Sequence, residues 1–277
     1  MLVPMKEILE DARTRRYGVG MFNTFNVEMA LGVIEAAEEL KAPVIMGTSE
    51  GLLDCCDLDL IVAMVGRIAQ RATVPVSLHL DHGFTESVIR QAIESGFTSV
   101  MYDMSESSYE KNVEGLRSMA DFAHKHGVSI EGELGHVVFD TVEDTGYVYT
   151  RPQDVIDFVG RTNVDALAIA IGTAHGVYKE KPHLDLMRLR EIRAATDVSL
   201  VLHGGSGLSD EDFRNVIRDG IQKINIYTDV SFATSQAAYD MVAQGVRCIE
   251  QVSVKMRAAA KHAALEKLQL FGCAGKA

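Results

Sequence analysis

Val76–Gly83, VSLHLDHG, is the stretch that decides the fold. Val76, Leu78 and Leu80 alternate with Ser77, His79 and Asp81, the period of two that marks a β-strand, with the polar side chains on one face. Thr73-Val-Pro precedes it, Gly83 follows, and a helical pattern begins near Thr85. The spacing predicts a strand over Val76–Leu80, with Asp81 and His82 at its carboxyl end just before a turn. That is where α/β folds carry their reactive groups.

Working outward, the same unit repeats. Towards the amino terminus, Tyr17–Asn23 and Ala42–Gly47 read as strands, and Val27–Leu40 and Leu58–Arg71 as helices. Towards the carboxyl terminus the predicted strands are Thr98–Tyr102, Val128–Glu133, Asp165–Ile171, Val198–Leu202 and Gly220–Ile226. The helices between them are Glu86–Ser95, Tyr109–Lys125, Pro152–Gly160, Leu184–Ala195 and Ser209–Arg218, with Ser209 as N-cap and Asp212 three residues on. Met1–Arg16 reads as an extra amphipathic helix, and Ser231–Ala243 and Val254–Gln269 as closing helices. A longer polar loop, Leu134–Thr150, interrupts the rhythm. Eight strand–helix units without a linker, in 277 residues, define an α/β chain of the (β/α)8 TIM-barrel type, a single domain over 1–277 with additional N- and C-terminal helices. An open doubly wound sheet would carry a glycine-rich fingerprint after its first strand, and Phe22-Asn23-Thr24 is not one.

Composition narrows the function. The formal net charge is −12 and no basic run occurs, which argues against nucleic-acid or anionic-membrane partners. An anionic substrate must therefore be held by local donors. The four cysteines, Cys55, Cys56, Cys248 and Cys273, form no C-x-x-C pair and read as free thiols of a reducing cytoplasm. The amino-terminal stretch lacks the apolar core of a signal peptide, and no apolar run is long enough to span a bilayer.

The polar residues collect at one end of the expected barrel. Asn23, Ser49, Asp81, His82, Asp103, Glu133, His175, His203 and Asn225 all close or follow a strand. Of nine histidines, His124, His126, His183 and His262 fall on helices or their edges and read as solvated or packing side chains. His79 shares the polar strand face and reads as a structural hydrogen-bonding group. His82, His175 and His203 each stand at a strand end. Three neutral imidazoles with an open position make a catalytic zinc site if they converge; separate packing histidines are the alternative. His203-Gly-Gly-Ser-Gly207 leads into a helix, so its amides can approach an anion at the helix N-terminus. Asn225–Thr228 ends the neighbouring strand, where barrels of this type often bind phosphate; plain tight turns are the alternative. Asp81 can shuttle a proton or orient a neighbouring histidine. Asp103 and Glu133 can hold a cation or cap loops. Glu143 and Asp144 are either solvated charges or an acid on a mobile loop.

Taken together, HLDHG, ELG, GTAHG, HGGSG and KINIYTD, in this order and spacing, resemble the class II zinc-dependent ketose-bisphosphate aldolases, which include the fructose- and tagatose-bisphosphate aldolases. The likeness runs from FNTFNVEM to the terminal FGCAGKA. It implies a zinc-dependent aldehyde-lyase of carbohydrate metabolism that splits a ketose 1-phosphate or 1,6-bisphosphate into dihydroxyacetone phosphate and an aldehyde. By position, the resemblance makes His82, His175 and His203 the Zn2+ ligands and Asp81 the proton donor and acceptor at the C4 hydroxyl. Glu143 or Asp144 would serve the C3-side proton. Asn23, Gly176, Gly204, Gly205, Ser206, Asn225, Ile226, Tyr227 and Thr228 would bind substrate, Asn225 also touching the enediolate. Asp103 and Glu133 match a second metal position. A monovalent cation (Na+ or K+) near the phosphate, a cytoplasmic location and a homo-oligomer, dimer or tetramer, complete the expectation.

The physics agrees, because cleavage of a β-hydroxy ketone leaves an enediolate whose charge calls for a Lewis acid. A Schiff-base mechanism needs a lysine in the barrel, and only Lys223 lies in a predicted strand, short of its end. The sequence also departs from the family. Where many members carry an arginine for the distal phosphate, this chain reads Arg247-Cys-Ile-Glu-Gln251, and Tyr227 replaces a smaller polar residue. These departures point to an aldehyde half that is unphosphorylated or differently charged. A non-catalytic sugar-phosphate-binding or accessory barrel is the alternative. An amidohydrolase is disfavoured because Tyr17–Asn23 contains no H-x-H.

Overall fold

The computed structural model describes residues 1–137, 149–176, 178 and 182–277. Eight parallel strands close on themselves in sequence order. They are β1 (Val19–Asn23), β2 (Val44–Ser49), β3 (Val76–Gly83), β4 (Ser99–Tyr102), β5 (Ser129–Leu134), β6 (Ala166–Ile169), β7 (Ser199–Leu202) and β8 (Ile221–Ile226). Pairing of Met21 with Asn225 closes the ring between β1 and β8. The expected (β/α)8 barrel is therefore the fold.

Local chemistry explains the element ends. Asn26 accepts the Met29 amide and caps Val27–Leu40. Gly96 takes the left-handed conformation that stops Glu86–Ser95. Ser209 and Asp212 form a reciprocal capping box on Asp210–Asp219. The expected helix over Leu58–Arg71 is interrupted by a π-helical turn at Val62–Gly66. The two closing helices begin earlier than their apolar patterns suggest, at Thr228 and Ile249. Ile249–Leu270 packs on Val27–Leu40 through Gly32, where a Cβ would meet Ala260 Cβ at 2.7 Å and the Arg257 carbonyl at 2.7 Å. Only glycine permits that approach of two backbones. Helix Met5–Arg15 buries Met5, Ile8, Leu9 and Ala12 against the barrel.

The alternation in β3 has a structural reason. Val76, Leu78 and Leu80 belong to the apolar core, each such burial contributing about 1.5–3 kcal/mol. Ser77, His79 and Asp81 are equally buried but take polar partners: Ser77 Oγ lies 3.1 Å from Thr98 Oγ1, His79 meets Ser99 and Asp81 meets two asparagines. The strand continues past its expected end at Leu80, through Asp81 and His82 to Gly83. His82 sits at φ +43°, in the left-handed region that favours glycine. Glu50 secures this corner, its carboxylate accepting the Phe84 amide at 2.6 Å and the Thr85 amide at 2.9 Å. Among the described residues, no helix is long and apolar enough to cross a membrane.

Candidate active site

The carboxyl ends of the strands bring three histidines together. His82 closes β3, His203 follows β7, and His175 lies in the loop after β6. Ring centroids of His82 stand 4.8 Å from His175 and 4.6 Å from His203. One ligand nitrogen from each lies within 4.8 Å of the others. Two of the rings are turned by carboxylates: His82 Nδ1 bonds Asp103 Oδ2 at 2.8 Å, and His203 Nε2 bonds Glu131 Oε1 at 2.9 Å. That leaves His82 Nε2, 3.2 Å from His175 Nε2, and His203 Nδ1, which is buried and makes no hydrogen bond. Such inward-facing nitrogens, oriented from behind by carboxylates, fit a divalent transition-metal ion. The electrostatics agree. Burial lowers His82, but Asp81, Asp103 and Glu133 outweigh it and lift the ring to about 9; burial and the charge on His82 hold His175 at about 3 and lower His203. The cluster thus favours one positive charge among three imidazoles.

Asp81 is 3% exposed and adjoins this cluster. Its Oδ2 accepts from Asn23 Nδ2 and its Oδ1 from Asn225 Nδ2, both at 2.8 Å. Burial alone raises a carboxyl pKa, yet His82 and Lys223 hold Asp81 far below the usual carboxylate range. It is an ionised base at neutral pH. The amide oxygens of Asn23 and Asn225 are buried without a hydrogen bond and remain acceptors for hydroxyl groups.

A second cluster comprises His82, Asp103 and Glu133. Burial and the charge of Asp103 push Glu133 up to about 8, while His82 and Ser105 bring Asp103 down to about 2 against its own burial. The pair expected from sequence at a second metal position is thus adjacent to His82.

Asn23, Asp81, His82, His175, Gly176, Gly204, Gly205, Ser206, Asn225, Tyr227 and Thr228 line one cavity of about 360 Å³, together with Ser49, Gly51 and Leu52. Its β7–β8 side sets a glycine turn beside a helix N-terminus, an arrangement suited to an anion. Thr228 opens the helix Thr228–Ala243, and the Ser206 hydroxyl oxygen accepts the Tyr227 and Asp229 amides. Gly204 has φ +67°, and a Cβ there would lie 2.2 Å from the Ala174 carbonyl oxygen. Gly204→Ala is accordingly expected to raise KM for a phosphorylated substrate about tenfold or more, because left-handed strain costs about 1–2 kcal/mol before the clash is counted. Steady-state kinetics with folding monitored by circular dichroism checks this, and an unchanged KM would remove Gly204 from that arrangement.

Ile226 differs from these: its side chain is fully buried in the core, and it is not among the residues lining the cavity. Glu143 and Asp144 lie outside the described residues. Sequence reasoning missed Gly51 and Leu52, which follow the strand-end Ser49. It also missed Glu131, whose signal was its position two residues before Glu133, on the same strand face.

The chain is similar to known proteins over its whole length. The sequence profile described as fructose-bisphosphate aldolase class-II matches residues 3–276, so the chain belongs to the class-II fructose-bisphosphate aldolase family. It is an enzyme of that class, a carbon–carbon lyase acting on phosphosugars. A protein named YdjI from Escherichia coli K12 is 41% identical over 100% of both chains. The fructose-bisphosphate aldolase of Geobacillus stearothermophilus is 38% identical over 100% of this chain and 99% of its own. The crystal structure of the YdjI aldolase superposes with a TM-score of 0.92 at 39% identity, covering 100% of both chains.

Proposed function

We propose that this chain is a zinc-dependent aldolase that reversibly splits a ketose 1-phosphate or 1,6-bisphosphate into dihydroxyacetone phosphate and an aldehyde. The observation that carries the reading is the convergence of His82, His175 and His203 beside a doubly anchored Asp81, with Asp81, His82 and His175 lining one cavity.

In cleavage, the cup at Gly204–Ser206 and Tyr227–Thr228 holds the phosphate of the three-carbon half through backbone amides and the helix N-terminus. Asp81 accepts the C4 hydroxyl proton, the C3–C4 bond breaks, C4 becomes the aldehyde carbon and the electron pair passes to the ketone half. When bound to the three imidazoles, zinc supplies Lewis-acid stabilisation of that charge. Asn23 and Asn225 keep Asp81 aimed and offer their free amide oxygens to substrate hydroxyls. Protonation at C3 then completes dihydroxyacetone phosphate, a step assigned to Glu143 or Asp144. In condensation Asp81 returns its proton to the new hydroxyl.

Among the described residues lining the cavity, none is lysine or arginine. The altered stretch at Arg247–Gln251 favours an acceptor aldehyde whose far end is uncharged. The test is condensation of dihydroxyacetone phosphate with a panel of phosphorylated and unphosphorylated aldehydes. Turnover of unphosphorylated aldehydes is expected. A strict requirement for glyceraldehyde 3-phosphate would select the bisphosphate instead, and no condensation at saturating zinc would favour an accessory barrel.

A further inference from the structure

Directly behind the histidine cluster the barrel interior holds a charged group that the cleavage chemistry does not use. Lys223 on β8 and Glu131 on β5 are both fully buried, with Nζ 2.9 Å from Oε2. Lys223 is not among the residues lining the cavity, and its Nζ is paired with Glu131 rather than turned to a substrate. The other Glu131 oxygen accepts from His203 Nε2 at 2.9 Å. His79, also fully buried, fills the remaining side: its Nδ1 is tied to Ser99 Oγ at 2.8 Å and its Nε2 stands 3.8 Å from Glu131 Oε2.

Burial raises Glu131, but Lys223 and His203 overcome it and hold the carboxylate at about 2; burial and the charge of Lys223 keep His79 neutral, at about 3. A carboxylate on Nε2 places the His203 proton there and leaves the lone pair on Nδ1. Nδ1 is the nitrogen that faces the cluster, 3.4 Å from Glu133 Oε2. Carboxylates behind metal-binding imidazoles set their tautomer and raise their basicity, and their loss typically costs 10–100-fold in metal affinity. A carboxylate this deep needs a counter-charge to remain ionised.

We infer that Lys223 and Glu131 form a positioning couple, in which the lysine holds one oxygen of the glutamate and the other oxygen, on His203 Nε2, presents His203 Nδ1 to the metal. The inference rests on the zinc reading of the site. It gives Lys223, a residue that never meets substrate, control over the strength of a ligand on the far side of Glu131.

Lys223→Met, Glu131→Gln and the double variant separate the couple from simple packing. Zinc affinity is measured by competition with a chromophoric chelator, and the His203 tautomer by long-range proton–nitrogen NMR of the metal-free protein. Lys223→Met and Glu131→Gln are each expected to weaken zinc about 10–100-fold. The double variant, in which the buried charges are removed together, is expected to fold better than Lys223→Met and to bind zinc no more weakly than Glu131→Gln. Metal-free parental protein should show the Nε2–H tautomer at His203. Parental zinc affinity in a folded Lys223→Met variant would overturn the couple. Should that variant not fold, parental affinity in Glu131→Gln would do the same, as would an Nδ1–H tautomer in the parental protein. A parental protein that bound zinc without cleaving any ketose phosphate would count against the aldolase reading and leave this inference standing.

Discussion

Asp81→Ala is expected to lower kcat for cleavage by about 10²–10⁴-fold, the usual contribution of a positioned general base, while zinc content stays at the parental level. The separation follows from the geometry. The nitrogens that converge belong to His82, His175 and His203, and in the proposed site Asp81 acts on them only through its charge. Removing it withdraws the first influence that raises His82, so a proton competes less with the metal at neutral pH. Asn23 and Asn225 lose their shared acceptor and substrate contacts loosen, so KM rises modestly beside the larger fall in kcat. The measurement pairs steady-state cleavage with metal analysis of the same sample. Parental turnover by a zinc-loaded Asp81→Ala protein would remove Asp81 from proton transfer.

Stripping the metal with a chelator is expected to abolish cleavage, by about 10³-fold or more, and zinc is expected to restore it. Lewis-acid stabilisation of the developing charge contributes several kcal/mol, and each 1.4 kcal/mol is a factor of ten. His175→Ala should reproduce the loss without rescue. The pH dependence of zinc affinity follows from the histidines. His175, at about 3, and His203, also lowered, are already neutral in the metal-free site; His82, raised to about 9, is protonated. Zinc requires the neutral ring, so binding displaces one proton below pH 9 and none above it. Affinity should therefore rise about tenfold per pH unit towards pH 9 and then level off. A flat profile between about pH 6 and 8 would mean that His82 is not a ligand, or that its proton is not held by Asp81 and Asp103.

Much of the barrel was legible because its signals are local. Val27–Leu40, Glu86–Ser95 and Tyr109–Lys125 occupy the spans their apolar spacing predicts, the first opened by the Asn26 cap and the second closed by Gly96. Strand ends moved by a residue or two, since a parallel ladder ends where its neighbours end. The extension of β3 through His82 was not legible, because it depends on a left-handed backbone fixed by Glu50 from the preceding loop. At the site, residues at strand ends could be named, whereas their convergence is a property of barrel closure. Glu131 and Lys223 were hidden for another reason. A lone charge within a strand reads as an edge or solvent position until its partner, 92 residues away in sequence, is seen inside the same barrel. The phase was nevertheless present: Glu131 stands two before Glu133, and Lys223 two before Asn225.

The two halves of the cavity are written in different material. In the proposed function the phosphate is held largely by main-chain amides on a glycine turn and a helix end, so few side-chain replacements would alter what that half recognises. Ser49, Leu52 and Tyr227, in contrast, present exchangeable side chains at the rim. Under selection, such a scaffold keeps its three-carbon donor constant and drifts in its acceptor. A library confined to these three positions should yield catalysts with altered aldehyde preference that all still demand dihydroxyacetone phosphate.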